Sequence, residues 1–143
     1  RRVGSILREA ATIIAFTQDG YYFTRAAAVL DVDATNAGTA AVNRTLSVPL
    51  GVNVDAICNI SADGATSFYT YVSDISATDA VPAGATLPLA THYSNGTVNG
   101  SAQLVRVRTD TSAQVRTRQS ASGAGTTFRM ATLGWVDRRG EYA

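Results

Sequence analysis

The stretch Leu104 to Gln119, LVRVRTDTSAQVRTRQ, alternates valine and arginine at a period of two on both sides of a polar break, Asp110-Thr111-Ser112-Ala113. Successive side chains of a strand point to opposite faces, so this period describes half-buried β-strands rather than an amphipathic helix. The two runs predict a hairpin in which Val105, Val107 and Val115 face a core while Arg106, Arg108, Arg116 and Arg118 face outward. A loop of odd length keeps all four guanidiniums on one face, and an even loop splits them, because a slip of one residue reverses every side chain. Burial of the three valines favours the odd loop, and with it a single patch of four arginines.

The rest of the chain follows the same grammar. Thr12 to Thr17 and Tyr21 to Thr24 flank Gln18-Asp19-Gly20, a hairpin signal, and the second run continues to a strand end near Val32. Ala34 to Asn43 lacks periodicity and is expected to be a loop. Arg44 to Leu50 alternates, with Leu46, Val48 and Leu50 on one side, and Pro49 confines that strand to an edge or ends it. Val52 to Ala62 is the longest candidate strand, placing Val52, Val54, Ala56, Cys58 and Ile60 on one face. Ser67 to Ser73 returns with Phe68 and Val72 opposing Tyr69 and Tyr71. Residues 74 to 100 hold two of the three prolines and are expected to form a long surface excursion with one short strand near Leu87 to Leu89. Thr126 to Val136 is a final strand, ending in Asp137-Arg138-Arg139-Gly140. Many short strands between turn signals, with no capped helical segment, indicate an all-β fold. The expected form is an antiparallel β-sandwich, jelly-roll-like or a related barrel, in a single domain over residues 1–143.

Charge and composition narrow the function. The 12 basic residues are all arginine, and the net charge is only +1, against the strongly basic balance of a nucleic-acid binder. No apolar run approaches the ~18 residues that a membrane span requires. The single cysteine, Cys58, excludes an intrachain disulfide and falls in an apolar alternation, as a small buried hydrophobe does. No signal-peptide pattern is present, and the opening Arg1-Arg2 without an initiator Met suggests the tail of a longer or processed product.

Reacting groups are sparse. His92 is the sole histidine and no Cys/His cluster accompanies it, so neither a metal site nor a cofactor is expected. No nucleophile-elbow pattern surrounds a serine. Asp31 and Asp33, two apart on one strand, are expected on the same face and are the only paired carboxylates that suggest glycoside hydrolysis. Gly123-Ala124-Gly125 lies between strands and lacks the helix N-terminus of a phosphate loop. The expectation is a non-enzyme.

Several stretches resemble the C-terminal part of virion proteins of tailed bacteriophages, of the tail or tail-fibre type. They are Arg1-Arg2-Val3-Gly4-Ser5-Ile6, Ile13-Ile14-Ala15-Phe16-Thr17-Gln18 with Tyr22-Phe23, and Val29-Leu30-Asp31-Val32. Val48-Pro49-Leu50-Gly51-Val52, Val105-Arg106-Val107-Arg108-Thr109-Asp110 and Leu133-Gly134-Trp135-Val136-Asp137-Arg138-Arg139-Gly140 complete the set. The sequence departs from the sequences it resembles before Val29, where Ala27-Ala28 stands in place of a Thr-Pro-like pair. The resemblance implies a structural virion component, the C-terminal part of a longer protein, homotrimeric and outward-facing on the tail, neck or head of the particle. Its implied partners are copies of itself, other virion proteins and host-surface polysaccharide, with no nucleic acid and no membrane insertion.

Within that setting the four arginines have three readings: the wet face of a sheet, a partner for Asp residues of a neighbouring subunit, or a receptor for acidic polysaccharide aided by Tyr69, Tyr71 and Tyr93. Trp135 divides similarly between burial and sugar stacking. Two other classes stand beside the fibre: a capsid or tail decoration protein that reinforces the shell, and a depolymerase tip that uses the aspartate pair.

Overall fold

The structure, a computed structural model, describes residues 6–9, 11–85, 88–96 and 101–139. Within these residues the chain forms strands and no helix: β1 (Arg8–Glu9), β2 (Thr12–Ile13), β3 (Phe16–Asp19), β4 (Tyr22–Thr35), β5 (Val42–Thr45), β6 (Asp55–Asp63), β7 (Ser67–Ser73), β8 (His92–Asn95), β9 (Ala102–Arg108), β10 (Gln114–Gln119) and β11 (Thr127–Val136). All pairs are antiparallel. A five-stranded sheet, β3-β4-β11-β6-β9, packs on a four-stranded sheet, β5-β10-β7-β8, and β1 and β2 form a small ribbon of their own. The all-β antiparallel sandwich expected from the alternation is therefore present.

One core fills the space between the sheets. From the five-stranded sheet come Ala56, Cys58 and Ile60 of β6 with Phe128 and Met130 of β11; from the four-stranded sheet come Phe68, Val72 and Val115. Trp135 stacks on Phe23 at 5.2 Å between ring centroids, and Phe16 meets both rings edge-on at 5.5 and 5.6 Å. These three rings tie β3, β4 and β11 together at one end of the sandwich. The tie depends on Gly134, since any Cβ there would collide with the Phe23 backbone. The chain bulges beside it, between Thr132 and Gly134, which aims Trp135 inward and lets β4 lie close.

The hairpin expected over Leu104–Gln119 is instead an arch. β9 pairs with β6 in one sheet, and β10 pairs with β5 and β7 in the other. The connection from Thr109 to Ala113 is closed locally, with Ala113 N donating to Asp110 O at 3.1 Å, and also bonds to the 46–54 segment. Thr109 N donates to Val54 O at 2.8 Å, Gly51 N to Thr111 O at 2.7 Å, and Leu46 N to Ala113 O at 2.9 Å. The valines still face the core as expected, with Val107 and Val115 buried and Val105 half-buried. The inner faces of a sandwich look at one another, so apolar residues point inward whether the second strand returns in the same sheet or crosses to the opposite one.

Other expectations are corrected or sharpened. β4 runs on to Thr35, past the expected end at Val32. Within Ala34–Asn43, expected as loop, Ala34 and Thr35 end β4 and Val42 and Asn43 begin β5. The expected strand Arg44–Leu50 shrinks to the end of β5; Leu46 and Val48 are buried from an irregular segment, while Leu50 is 71% exposed. The strand expected from Val52 starts at Asp55, with Val54 buried ahead of it. Ser67–Ser73 is β7 without adjustment. Leu87 lies outside the described residues, and Leu89 makes only an isolated bridge to Ala83, while β8 arises unforeseen at His92–Asn95. Asp31 and Asp33 do not act as a pair. A bulge between Val32 and Leu30 opposite Met130/Ala131 hands them to different partners, Ser47 and Thr132 for Asp31 and Arg129 for Asp33.

Candidate functional site

The arch divides the four arginines. Arg106 and Arg108 lie on the outer face of the five-stranded sheet and Arg116 and Arg118 on the outer face of the four-stranded sheet, so the single patch does not form. Arg116 and Arg118 instead clamp the start of the 74–91 excursion. Arg116 donates to Ala77 O at 2.6 Å and Ile75 O at 2.8 Å; Arg118 donates to Thr39 O at 3.0 Å and pairs with Asp79 at 2.7 Å. The excursion lies across the tyrosine face. Tyr71 stands opposite Arg118 in register, Tyr69 packs against Gly84, and Tyr69 and Tyr93 tilt on one another at 4.9 Å. Only Tyr93 is well exposed, at 50%.

A different arginine set converges elsewhere. Register places Tyr22, Val136, Asp55 and Arg108 in one row across β4, β11, β6 and β9. At the end of this row an open concavity of about 470 Å³ is lined by Asn53, Val54, Asp55, Arg106, Arg108, Val136, Arg138 and Arg139. β9 contributes two guanidiniums and the residues just after β11 contribute two more. Arg106 bonds Asp55 Oδ2 through Nε at 3.0 Å and again through its terminal nitrogen. That hydrogen bond, helped by the Asp55 charge and a smaller contribution from Tyr22, holds the Arg106 proton more tightly than usual. Arg139 grips Asp137 with two bonds, at 2.9 and 2.7 Å, which raises its pKa in the same way. Arg138 lies 5.7 Å from the centre of the Tyr21 ring, in cation–π range. Arg108 makes no hydrogen bond or ion pair to any described residue.

The sequence showed each half of this site without the relation between them. Arg138 and Arg139 read only as the end of the last strand. Bringing them beside Arg106 and Arg108 requires knowing that β6 alone separates β9 from β11, and no local pattern encodes strand order.

The remaining reactive residues are built into the frame. The Asp31 carboxylate accepts from Ser47 N at 3.0 Å, Ser47 Oγ at 2.6 Å and Thr132 Oγ1, joining the 46–48 segment to the five-stranded sheet. Arg25, nearly buried, clamps Glu9 of the β1–β2 ribbon at 2.6 Å and donates to Ser47 O at 2.9 Å. His92 is buried, with Nε2 at 2.8 Å from Ser101 Oγ, which pins the start of β9 to β8. Burial pushes the Cys58 thiol up to about 11, opposed by its contact with Thr132. Among the described residues no three His, Cys, Asp or Glu side chains group as a metal site would need.

No protein-family model, curated protein or solved structure matches the chain. The concavity is therefore interpreted from its own chemistry: forked, permanently charged donors over the buried Val54 and Val136, with one carboxylate among them. Such a site can hold a singly charged, planar anion.

Proposed function

We propose that the chain is a structural domain of a tailed-bacteriophage virion protein, of fibre or spike type, that assembles with copies of itself and turns one face toward the host surface. The observation that carries this reading is spatial. Stretches that resemble virion proteins are scattered through the sequence, yet they meet in the fold. Phe16 and Phe23 from one and Trp135 from another form the aromatic tie. The stretches around Arg106 and Arg138 line the same concavity. Gly51, in the Val48–Val52 stretch, bonds Thr111 next to the β9 stretch.

Protein mass spectrometry of purified particles, with copy number, tests the proposal. A fibre or spike is expected at small multiples of three copies. Hundreds of copies per particle would favour the decoration protein, and absence from the particle would refute both. Size-exclusion chromatography with light scattering checks the self-association, with a trimer expected.

A further inference from the structure

We propose that the concavity between Arg106, Arg108, Arg138 and Arg139 binds the carboxylate of an acidic sugar of the uronate type, presented within an oligosaccharide. The inference rests on this concavity alone and stands whether or not the chain belongs to a virion.

The charge distribution selects the ligand. Arg106 and Arg139 already hold Asp55 and Asp137, whereas Arg108 has no partner among the described residues and lines the same space. A guanidinium fork and a carboxylate match in two parallel hydrogen bonds, a stronger and more directional contact than an ammonium offers. Arg108 thus offers one open fork, which a single carboxylate fills. Asp55 argues against a phosphate or polyphosphate, because its carboxylate inside the wall repels a doubly charged ligand. The same carboxylate suits a sugar. Both Arg106 bonds fall on Oδ2, which leaves Oδ1 to accept from a ring hydroxyl, and Asn53 beside it can donate or accept.

Shape and polarity agree with that choice. Val54 and Val136 lie buried beneath the guanidiniums, and Tyr22, the register partner of Val136, stands beside them with 43% of its surface exposed. An aromatic face of this kind packs against the C–H face of a pyranose. The volume of about 470 Å³ lies within the roughly 300–1,000 Å³ of small-molecule sites.

Calorimetric and NMR titration of the whole chain with trigalacturonate tests the proposal, beside maltotriose as the neutral counterpart and inorganic phosphate as a bare anion. Saturable trigalacturonate binding that weakens between low and moderate salt is expected, with no binding of maltotriose. Arg108→Gln should weaken that binding by at least about tenfold, the loss expected for a charge-assisted hydrogen-bonded pair. Because Arg108 is exposed, its melting temperature should match the parent, which separates loss of the site from loss of the fold. Binding left unchanged by Arg108→Gln, or equally tight for maltotriose, would overturn the assignment. So would phosphate displacing the sugar at equal concentration, which would mark an unselective anion site. Self-association lost in Arg108→Gln, with no sugar binding in the parent, would transfer the site to a carboxylate of a second copy.

Discussion

Replacing Gly134 with alanine examines how tightly the two longest strands are drawn together. A methyl group at this position lands on the Phe23 carbonyl oxygen, well inside van der Waals contact, and lies 3.1 Å from both Phe23 C and Thr24 Cα. All three neighbours are backbone, so no rotamer change relieves the clash. β4 and β11 must separate by on the order of 1 Å instead, a distance that removes much of the dispersion attraction between packed atoms. Phe23 resists that movement because its ring is stacked on Trp135 and flanked by Phe16. Overpacking of this kind costs about 1–3 kcal/mol, and a rigid obstacle places Gly134→Ala near the upper end. Reduced freedom of the unfolded chain returns about 0.4–1 kcal/mol, leaving a net loss of about 2 kcal/mol. For a domain of this size that is a fall of about 4–10 °C in melting temperature. Trp135 is the only tryptophan and adjoins the site, so its fluorescence in a urea titration reports the loss directly. Gly123→Ala is the control, because a Cβ there meets nothing within 4 Å. If both variants melt within about 2 °C of each other, the close approach of β4 and β11 is not a stability determinant and the reasoning fails.

Asp31→Ala removes the acceptor shared by Ser47 and Thr132 and should cost roughly 2–4 kcal/mol in urea unfolding, whereas Asp33→Ala, which breaks an exposed pair with Arg129, should cost under about 1 kcal/mol. Equal losses would show that the Asp31 connection carries no special weight. Cys58 predicts an alkaline limit. The folded thiol, raised to about 11 from 9.0, keeps a proton that the unfolded chain releases, so stability holds below pH 9 and then falls as pH rises toward 11. The loss reaches about 2–3 kcal/mol, and Cys58→Ala should flatten that slope in melts across the range. Arg116→Gln combined with Arg118→Gln should release the 74–80 segment and speed its limited proteolysis by on the order of tenfold, with little change in the melting of the body. Cleavage at the parental rate would mean that the clamp is not what holds the segment.

Much of the fold was legible because burial acts on single side chains. Alternation in Val54–Ala62 and in Phe68–Val72 named the residues that face the core, and Asp19-Gly20 marked a true hairpin, with Gly20 at a φ of 59°. Pairing was less legible, because it depends on which strand lies beside which. Val107 and Val115 satisfy the core equally from one sheet or from two, so their pattern could not distinguish hairpin from arch. The four arginines followed the valines to opposite sides. The same limit hid the concavity, whose halves come from β9 and from the residues after β11. Bulges were invisible for a related reason: one extra residue at Asp31 reverses a face without altering composition, so the carboxylates that looked like neighbours were given different work.

The clamp on the 74–91 segment has an evolutionary corollary. Arg116 holds it through two main-chain oxygens, those of Ile75 and Ala77, while Arg118 reaches it through the Asp79 side chain. Carbonyl groups are common to every amino acid, so the Arg116 grip survives almost any rewriting of the segment it secures. One broad side of the molecule can thus acquire a new exterior by mutation while the sandwich beneath keeps its original plan.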